Sequence, residues 1–182
     1  MENINRKTNW ILLSTSIVLC LLFRLIPFRA PNVEPILSAQ MPFSKSYGKL
    51  VGFIFGFLSI LIFDIATGTL GLWTLVTASS YGIVGVLSAS FFNKRSASRK
   101  NFVIFAILGT IFYDVFTGLT VGPLLFHQSF AIAFVGQIPF TILHLLGNIT
   151  FAFFVSPFIY QLTIKYREPS SLFLKKLLVK TL

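Results

Sequence analysis

Long apolar runs, separated by short breaks rich in proline, glycine or polar residues, dominate this chain, and their lengths predict membrane-spanning helices. The first run extends from Trp10 to Phe28, and a polar loop marked by prolines, Arg29 to Pro35, follows it. Residues 35 to 47 (PILSAQMPFSKSY) form the weak segment, short, interrupted by Pro42 and rich in polar side chains. Lys49 to Ile65, Leu70 to Phe92 and Asn101 to Phe116 read as further spans, with a basic loop from Asn93 to Lys100. Gly118 to Gln128 reads as a connection, Ser129 to Gly136 as a short helix, and Pro139 to Ile164 as the last span, kinked at Pro157. Beyond Pro169, Ser170 and Ser171 can cap a final amphipathic helix, LFLKKLLVKTL, expected to lie on the inner leaflet.

Charge turns these runs into a topology. Of the 15 Lys and Arg residues, thirteen fall on one side if six segments cross and the N-terminus starts in the cytoplasm: Arg6, Lys7, Lys45, Lys49, Lys94, Arg95, Arg99, Lys100, Lys165, Arg167, Lys175, Lys176 and Lys180. Arg24 and Arg29 alone are left for the outer side. Basic residues near span ends stay in the cytoplasm during insertion, so this parity argues that residues 35–47 cross in spite of their polarity. A short or broken helix is tolerated where protein surrounds it. The net charge of +10 then reflects loop anchoring rather than nucleic-acid binding.

The fold expected is therefore an all-α, six-helix membrane bundle with both ends cytoplasmic and a short or broken second helix. Charged residues make up 11% of the chain, against roughly a quarter in soluble domains, so residues 1–182 are read as one integral membrane domain. Its parts are a cytoplasmic N-terminus at 1–9, the bundle at 10–165 and a basic tail at 166–182. The first run is too long, and Pro27-Phe28-Arg29-Ala30 too poor a cleavage site, for a signal peptide. The single cysteine, Cys20, lies in that run and supports neither a disulfide nor a cysteine metal site.

One internal echo stands out. Phe63-Asp64-Ile65-Ala66-Thr67-Gly68 resembles Tyr113-Asp114-Val115-Phe116-Thr117-Gly118, and each closes an apolar run on the expected outer side. Ionisable groups at membrane depth are costly and tend to be functional, which singles out Glu34, Asp64, Asp114 and His144. The plainer reading pairs Asp64 and Asp114 with Arg24 and Arg29, or makes each Thr-Gly a helix cap.

In the last span Gln137, Thr141, His144 and Asn148 share a face if the helix continues through Pro139. Thr74, Thr77, Tyr81 and Ser88 form a second stripe, with Trp73 beside it. Interhelical hydrogen bonding, worth about 0.6 kcal/mol each, is one use of such stripes, and ligand contact near the outer end is the other. Gly48, Gly52 and Gly56 make a GxxxGxxxG run fit for close helix packing or a subunit interface, and Ala78, Gly82, Gly85 and Ala89 a weaker seam. No His, Cys or carboxylate lies at ligand spacing beside His144, so no metal site is predicted, nor any cofactor. Phosphate-binding loop, HExxH and nucleophile elbow are all missing. Asn148-Ile149-Thr150 lies inside a span and is discarded as a glycosylation acceptor.

Further motifs carry a family resemblance. Arg24-Leu25-Ile26-Pro27 closes the first span, Pro31-Asn32-Val33-Glu34-Pro35 follows it, and the last span holds Pro139-Phe140 and Leu145-Leu146-Gly147-Asn148, with Asn in place of Asp. Over residues 10 to 165 the chain resembles the substrate-binding (S) components of energy-coupling factor (ECF) transporters, above all their uncharacterised or cobalamin-like branch. The small-residue Ala-x-x-x-Ala pattern of the family's first span is replaced by Ser14, Ser16 and Cys20.

The resemblance implies a non-enzymatic bundle in the cell membrane that captures a small water-soluble micronutrient from outside. It also implies a transmembrane scaffold and two ATPases on other chains. The expected site lies between the fourth and sixth spans under the first outer loop. Trp73, Thr77 and Tyr81 line it, Asn32, Gln137, His144 and Asn148 supply hydrogen bonds, and Glu34, Asp64 and Asp114 give an acidic mouth that favours a neutral or cationic ligand. The competing reading is a small scaffolding membrane protein with no ligand, which would show a packed bundle without a cavity.

Overall fold

In the computed structural model, residues 9–165 are described, and they form six α-helices and one π-helical turn. The N-terminal Arg6 and Lys7 and the tail from 166 to 182, with its expected amphipathic helix, lie outside the described residues. The helices are α1 (Trp10–Arg24), α2 (Ile36–Tyr47), α3 (Lys49–Thr67), α4 (Leu72–Asn93), α5 (Arg99–Gly118) and α6 (Phe130–Lys165), with the π turn η1 at Val121–Leu125 between the last two.

Each boundary has a local cause. Asn9 caps α1 by accepting the backbone N–H of Leu12 at 3.0 Å. The helix stops at Arg24 rather than Phe28, because Pro27 disfavours a helical conformation at Ile26. Gly68 ends α3 with a left-handed φ of 70°, and the N–H of Thr69 returns to the Asp64 carbonyl at 2.9 Å. Ser98 caps α5 by accepting from Asn101 N–H at 3.3 Å. The separate short helix expected at Ser129–Gly136 does not form, since α6 runs without interruption through Pro139 and Pro157. Prolines are tolerated inside membrane helices, where neighbours re-satisfy the freed carbonyls.

Among the described residues four helices are long and apolar enough to cross a membrane, Lys49–Thr67, Leu72–Asn93, Arg99–Leu125 and Phe130–Ile164. Their exposed faces carry large apolar side chains such as Leu75, Leu108, Val115, Phe134, Ile142 and Phe154, as contact with lipid requires. Helix α1 is a shorter apolar helix, and α2 has 12 residues of which ten are buried.

That burial explains how so polar a segment sits in the core. Pro42 has no N–H, so the Ser38 carbonyl four residues back loses its helical partner. The Ser156 hydroxyl of α6 donates to that carbonyl at 2.7 Å. The Gln40 carboxamide donates to the carbonyls of Gly52 at 2.9 Å and Tyr81 at 2.7 Å, joining α2 to α3 and α4. Ser46 and Thr163 share a hydrogen bond at 2.6 Å.

Around Gln40 the backbones of α3 and α4 come very close. A Cβ on Gly52 would overlap the Ser44 hydroxyl and lie 2.7 Å from the Gly85 carbonyl oxygen, and one on Gly56 would lie 2.5 Å from that of Tyr81. The Gly85 and Tyr81 contacts are with backbone, which cannot swing aside, so a side chain there separates the helices. Gly48 stands outside this seam: its φ is 93°, a Cβ would meet nothing within 4 Å, and it makes the turn from α2 into α3.

The alternation gathers the helix ends into two groups. At the basic end Lys45 donates to the Phe92 and Arg95 carbonyls that close α4, at 2.5 and 3.1 Å. At the opposite end, the mouth, lie the C-termini of α1, α3 and α5 and the N-termini of α2, α4 and α6.

Candidate functional site

Two layers make up the mouth end. The deeper layer is a buried polar chain that crosses five structural elements. Arg24 of α1 lies 3.1 Å from Glu34, just before α2, with its guanidinium stacked 3.7 Å above the Phe63 ring. Glu34 accepts the Tyr81 hydroxyl of α4 at 2.7 Å, and the same hydroxyl lies 3.4 Å from His144 Nε2 of α6. His144 Nδ1 is 2.7 Å from Asp114 of α5. One helical turn deeper, Asn148 donates to the Thr110 hydroxyl at 2.8 Å, a second rung between α5 and α6. Asp114 is wholly buried, His144 and Asn148 nearly so.

This pairing differs from the one expected from charge alone. Arg24 meets Glu34 rather than an aspartate, and Arg29 donates to the Val33 carbonyl at 2.6 Å. Asp64 accepts the Thr74 hydroxyl at 2.5 Å, and Thr74 accepts the Gly71 N–H at 3.1 Å, so Asp64 braces the start of α4. The reason is geometric: each aspartate finds a partner on the helix packed against its own, a neighbour set that composition does not reveal.

Above this layer lies an open cavity of about 510 Å³ between the first turns of α4, the end of α5, the π turn and the first turns of α6. Trp73 and Phe126 flank it with ring centroids 5.7 Å apart, and Tyr113 and Phe140 belong to its wall. Thr77, Thr117, Gln128 and Gln137 contribute polar groups, and among the described residues no charged side chain lines it. The two layers touch through aromatic rings, because the His144 ring stands edge to face with Tyr113 at 5.9 Å and with Phe140 at 6.0 Å.

Trp73, Thr77 and Gln137 of the expected set line the cavity. Tyr81, Asp114, His144, Asn148 and Glu34 form the layer beneath, and Asp64 sits in the α3–α4 turn. Asn32 occupies a left-handed position (φ 63°) in the first loop, which supplies none of the cavity lining. Sequence reading missed Tyr113, Phe126, Gln128 and Phe140. Tyr113, Thr117 and Gly118 lay within the repeated hexapeptide, which was a usable signal, whereas Phe126 and Gln128 sit in a connection with no pattern of its own. Among the described residues no group of three or more His, Cys, Asp or Glu is placed to hold a metal ion.

Residues 11–164 match the model of the family described as the ECF-type riboflavin transporter, S component. The chain belongs to this family. The match covers all six helices and both layers of the mouth. An ECF S component is a multi-pass membrane protein of vitamin uptake, in accord with the apolar helices of this bundle. The family is the riboflavin one, whereas the loop and last-span motifs resembled the cobalamin-like branch. No curated protein matches the chain.

Proposed function

We propose that this chain is the substrate-binding subunit of an ECF importer and that it takes a flat, uncharged micronutrient of the riboflavin type into the cavity between α4, α5 and α6. The observation that carries this reading is the cavity wall, which among the described residues combines aromatic faces with four uncharged polar side chains and no charged one. Its volume of about 510 Å³ suits a drug-sized ligand. A charged ligand of either sign there would lose its hydration without gaining an opposite charge among the described lining residues, which narrows the ligand from neutral or cationic to neutral. The family's name makes riboflavin the first compound to test.

Trp73, Thr77 and Gln137 are the direct contacts in this reading. Tyr81, His144, Asp114, Asn148 and Glu34 hold the aromatic floor in place, and Asn32 and Asp64 shape the mouth. A cavity bounded by the outer members of both polar stripes favours a binding subunit over a scaffolding protein. The energy source is a scaffold and two ATPases on other chains, as the family implies. The topology is six crossings with both termini cytoplasmic, which gathers the basic residues on one side. Cysteines at 69 and 96 test it: position 69 is expected to react with an impermeant reagent in intact cells and position 96 to stay silent.

The deciding experiment is a titration of the purified protein with riboflavin, read by quenching of flavin fluorescence. Saturable one-to-one binding is expected, with much weaker binding of the 5′-phosphate ester. A folded, monodisperse protein that neither binds riboflavin nor carries a co-purified small molecule would overturn the reading.

A further inference from the structure

Two glutamine carboxamides face the cavity, and each lies over a glycine. A Cβ on Gly118 would overlap the carboxamide of Gln137 and come 3.1 Å from its Cγ. A Cβ on Gly122 would overlap the carboxamide oxygen of Gln128. The two glycines are four residues apart, at the end of α5 and in the π turn that follows. Both glutamines and both glycines line the cavity.

The Gln137 carboxamide is also fixed from a second side, and the Gln128 backbone is tied to the same glycine its side chain lies over. Gln137 donates to the Thr141 hydroxyl at 3.2 Å, and the backbone N–H of Gln128 bonds the Gly122 carbonyl at 3.2 Å. Gln137 separates the cavity from a second, apolar groove of about 260 Å³ between α5 and α6, which it also lines. Its position therefore sets where the cavity ends.

We propose that Gly118 and Gly122 are specificity-determining positions, each seating a glutamine carboxamide on the cavity wall, and that the two carboxamides select an uncharged heteroaromatic ligand with adjacent donor and acceptor groups, a lactam or imide edge. A primary carboxamide carries donor and acceptor side by side, which complements such an edge and leaves a charged or purely apolar ring without matched partners. This rests on the cavity being the ligand site. The seats differ from Gly52 and Gly56, where an added Cβ meets the backbone of the facing helix as well as a side chain. At Gly118 and Gly122 it meets the movable end of a side chain, so alanine there displaces the carboxamide and leaves the helices in place.

The test is a double-mutant cycle with riboflavin as the probe, in full-length protein, using Gly118→Ala, Gln137→Ala and both together, then Gly122→Ala and Gln128→Ala likewise. Each glycine variant is expected to bind riboflavin roughly five- to 150-fold more weakly, the loss of a hydrogen bond in a desolvated site. In the background lacking the matching glutamine, the glycine substitution is expected to add nothing. Methylation of the flavin imide nitrogen is expected to weaken binding to the unmodified protein and to change little in the variants. Wild-type affinity in both glycine variants, full additivity within the cycles, or loss of folding in Gly118→Ala would each overturn the proposal while the riboflavin reading stands. Failure of the unmodified protein to bind riboflavin would instead overturn the reading on which it rests.

Discussion

At the end of α3, Asp64 accepts a hydrogen bond from Thr74, ten residues on, and Gly68 turns left-handed to close the helix. At the end of α5, the matching Asp114 reaches His144, thirty residues on, and the matching Gly118 stays helical as the chain widens into a π turn. The threonines of the two hexapeptides behave alike, Thr67 and Thr117 each donating to the carbonyl four residues back at 2.8 Å. Yet Thr67 is exposed at the last residue of α3 and Thr117 is buried in the cavity wall. One local pattern thus serves a turn where the partner is near in sequence, and a cavity wall where the partner is on a distant helix. What differs is the neighbour, α4 in one case and α6 in the other.

This contrast can be broken by substitution. Asp114→Ala carries the largest expected effect, because it leaves His144 buried without its partner. A loss of about 3–5 kcal/mol in unfolding experiments in mixed detergent is expected, together with loss of riboflavin binding. Asn148→Ala removes the second rung of the same interface. It is expected to cost about 1–3 kcal/mol by the same measurement, with a smaller fall in affinity, because it lies below the cavity floor. Gly68→Val strains the left-handed turn and is expected to cost about 1–3 kcal/mol while leaving the riboflavin titration unchanged.

The smaller effects sharpen the comparison further. Asp64→Asn keeps an acceptor for Thr74, so a stability change of about 1 kcal/mol with unchanged affinity is expected. The matched pair Thr67→Val and Thr117→Val is the finest probe, since both retain shape and both lose one hydroxyl. Stability is expected to move by less than about 0.5 kcal/mol at the exposed Thr67. A fall in riboflavin affinity is expected for Thr117→Val alone. Equal affinities in the two variants would mean that the second copy is also only a turn.

Much of the bundle was legible because lipid imposes a simple rule on α3, α4 and α5, apolar residues throughout and a glycine, a cap or a charge at the ends. The second helix was visible only through charge parity, since its polar residues are stabilised by partners far away in sequence, Ser156 and Thr163 among them. Pro139 misled because proline is a sound break in water and a weak one inside a membrane helix. The stripe from Gln137 to Asn148 was legible as one face. Its division into a cavity-lining part and a buried part was not, because that depends on where Tyr113 and Phe140 place their rings over His144. The glycine seats of Gln128 and Gln137 left no trace in the pattern, since a glycine at a helix end already has an ordinary explanation.

The hydrogen bond from Ser156 to Ser38 spans 118 residues, and this bears on biosynthesis. When residues 36–47 leave the ribosome, Ser156, which will satisfy the Ser38 carbonyl, has not yet been made. Alone in hydrocarbon each unsatisfied group costs several kcal/mol. The segment therefore takes its buried position only after translation has delivered α6, and the earliest hairpin of the chain is among the last parts of the bundle to mature.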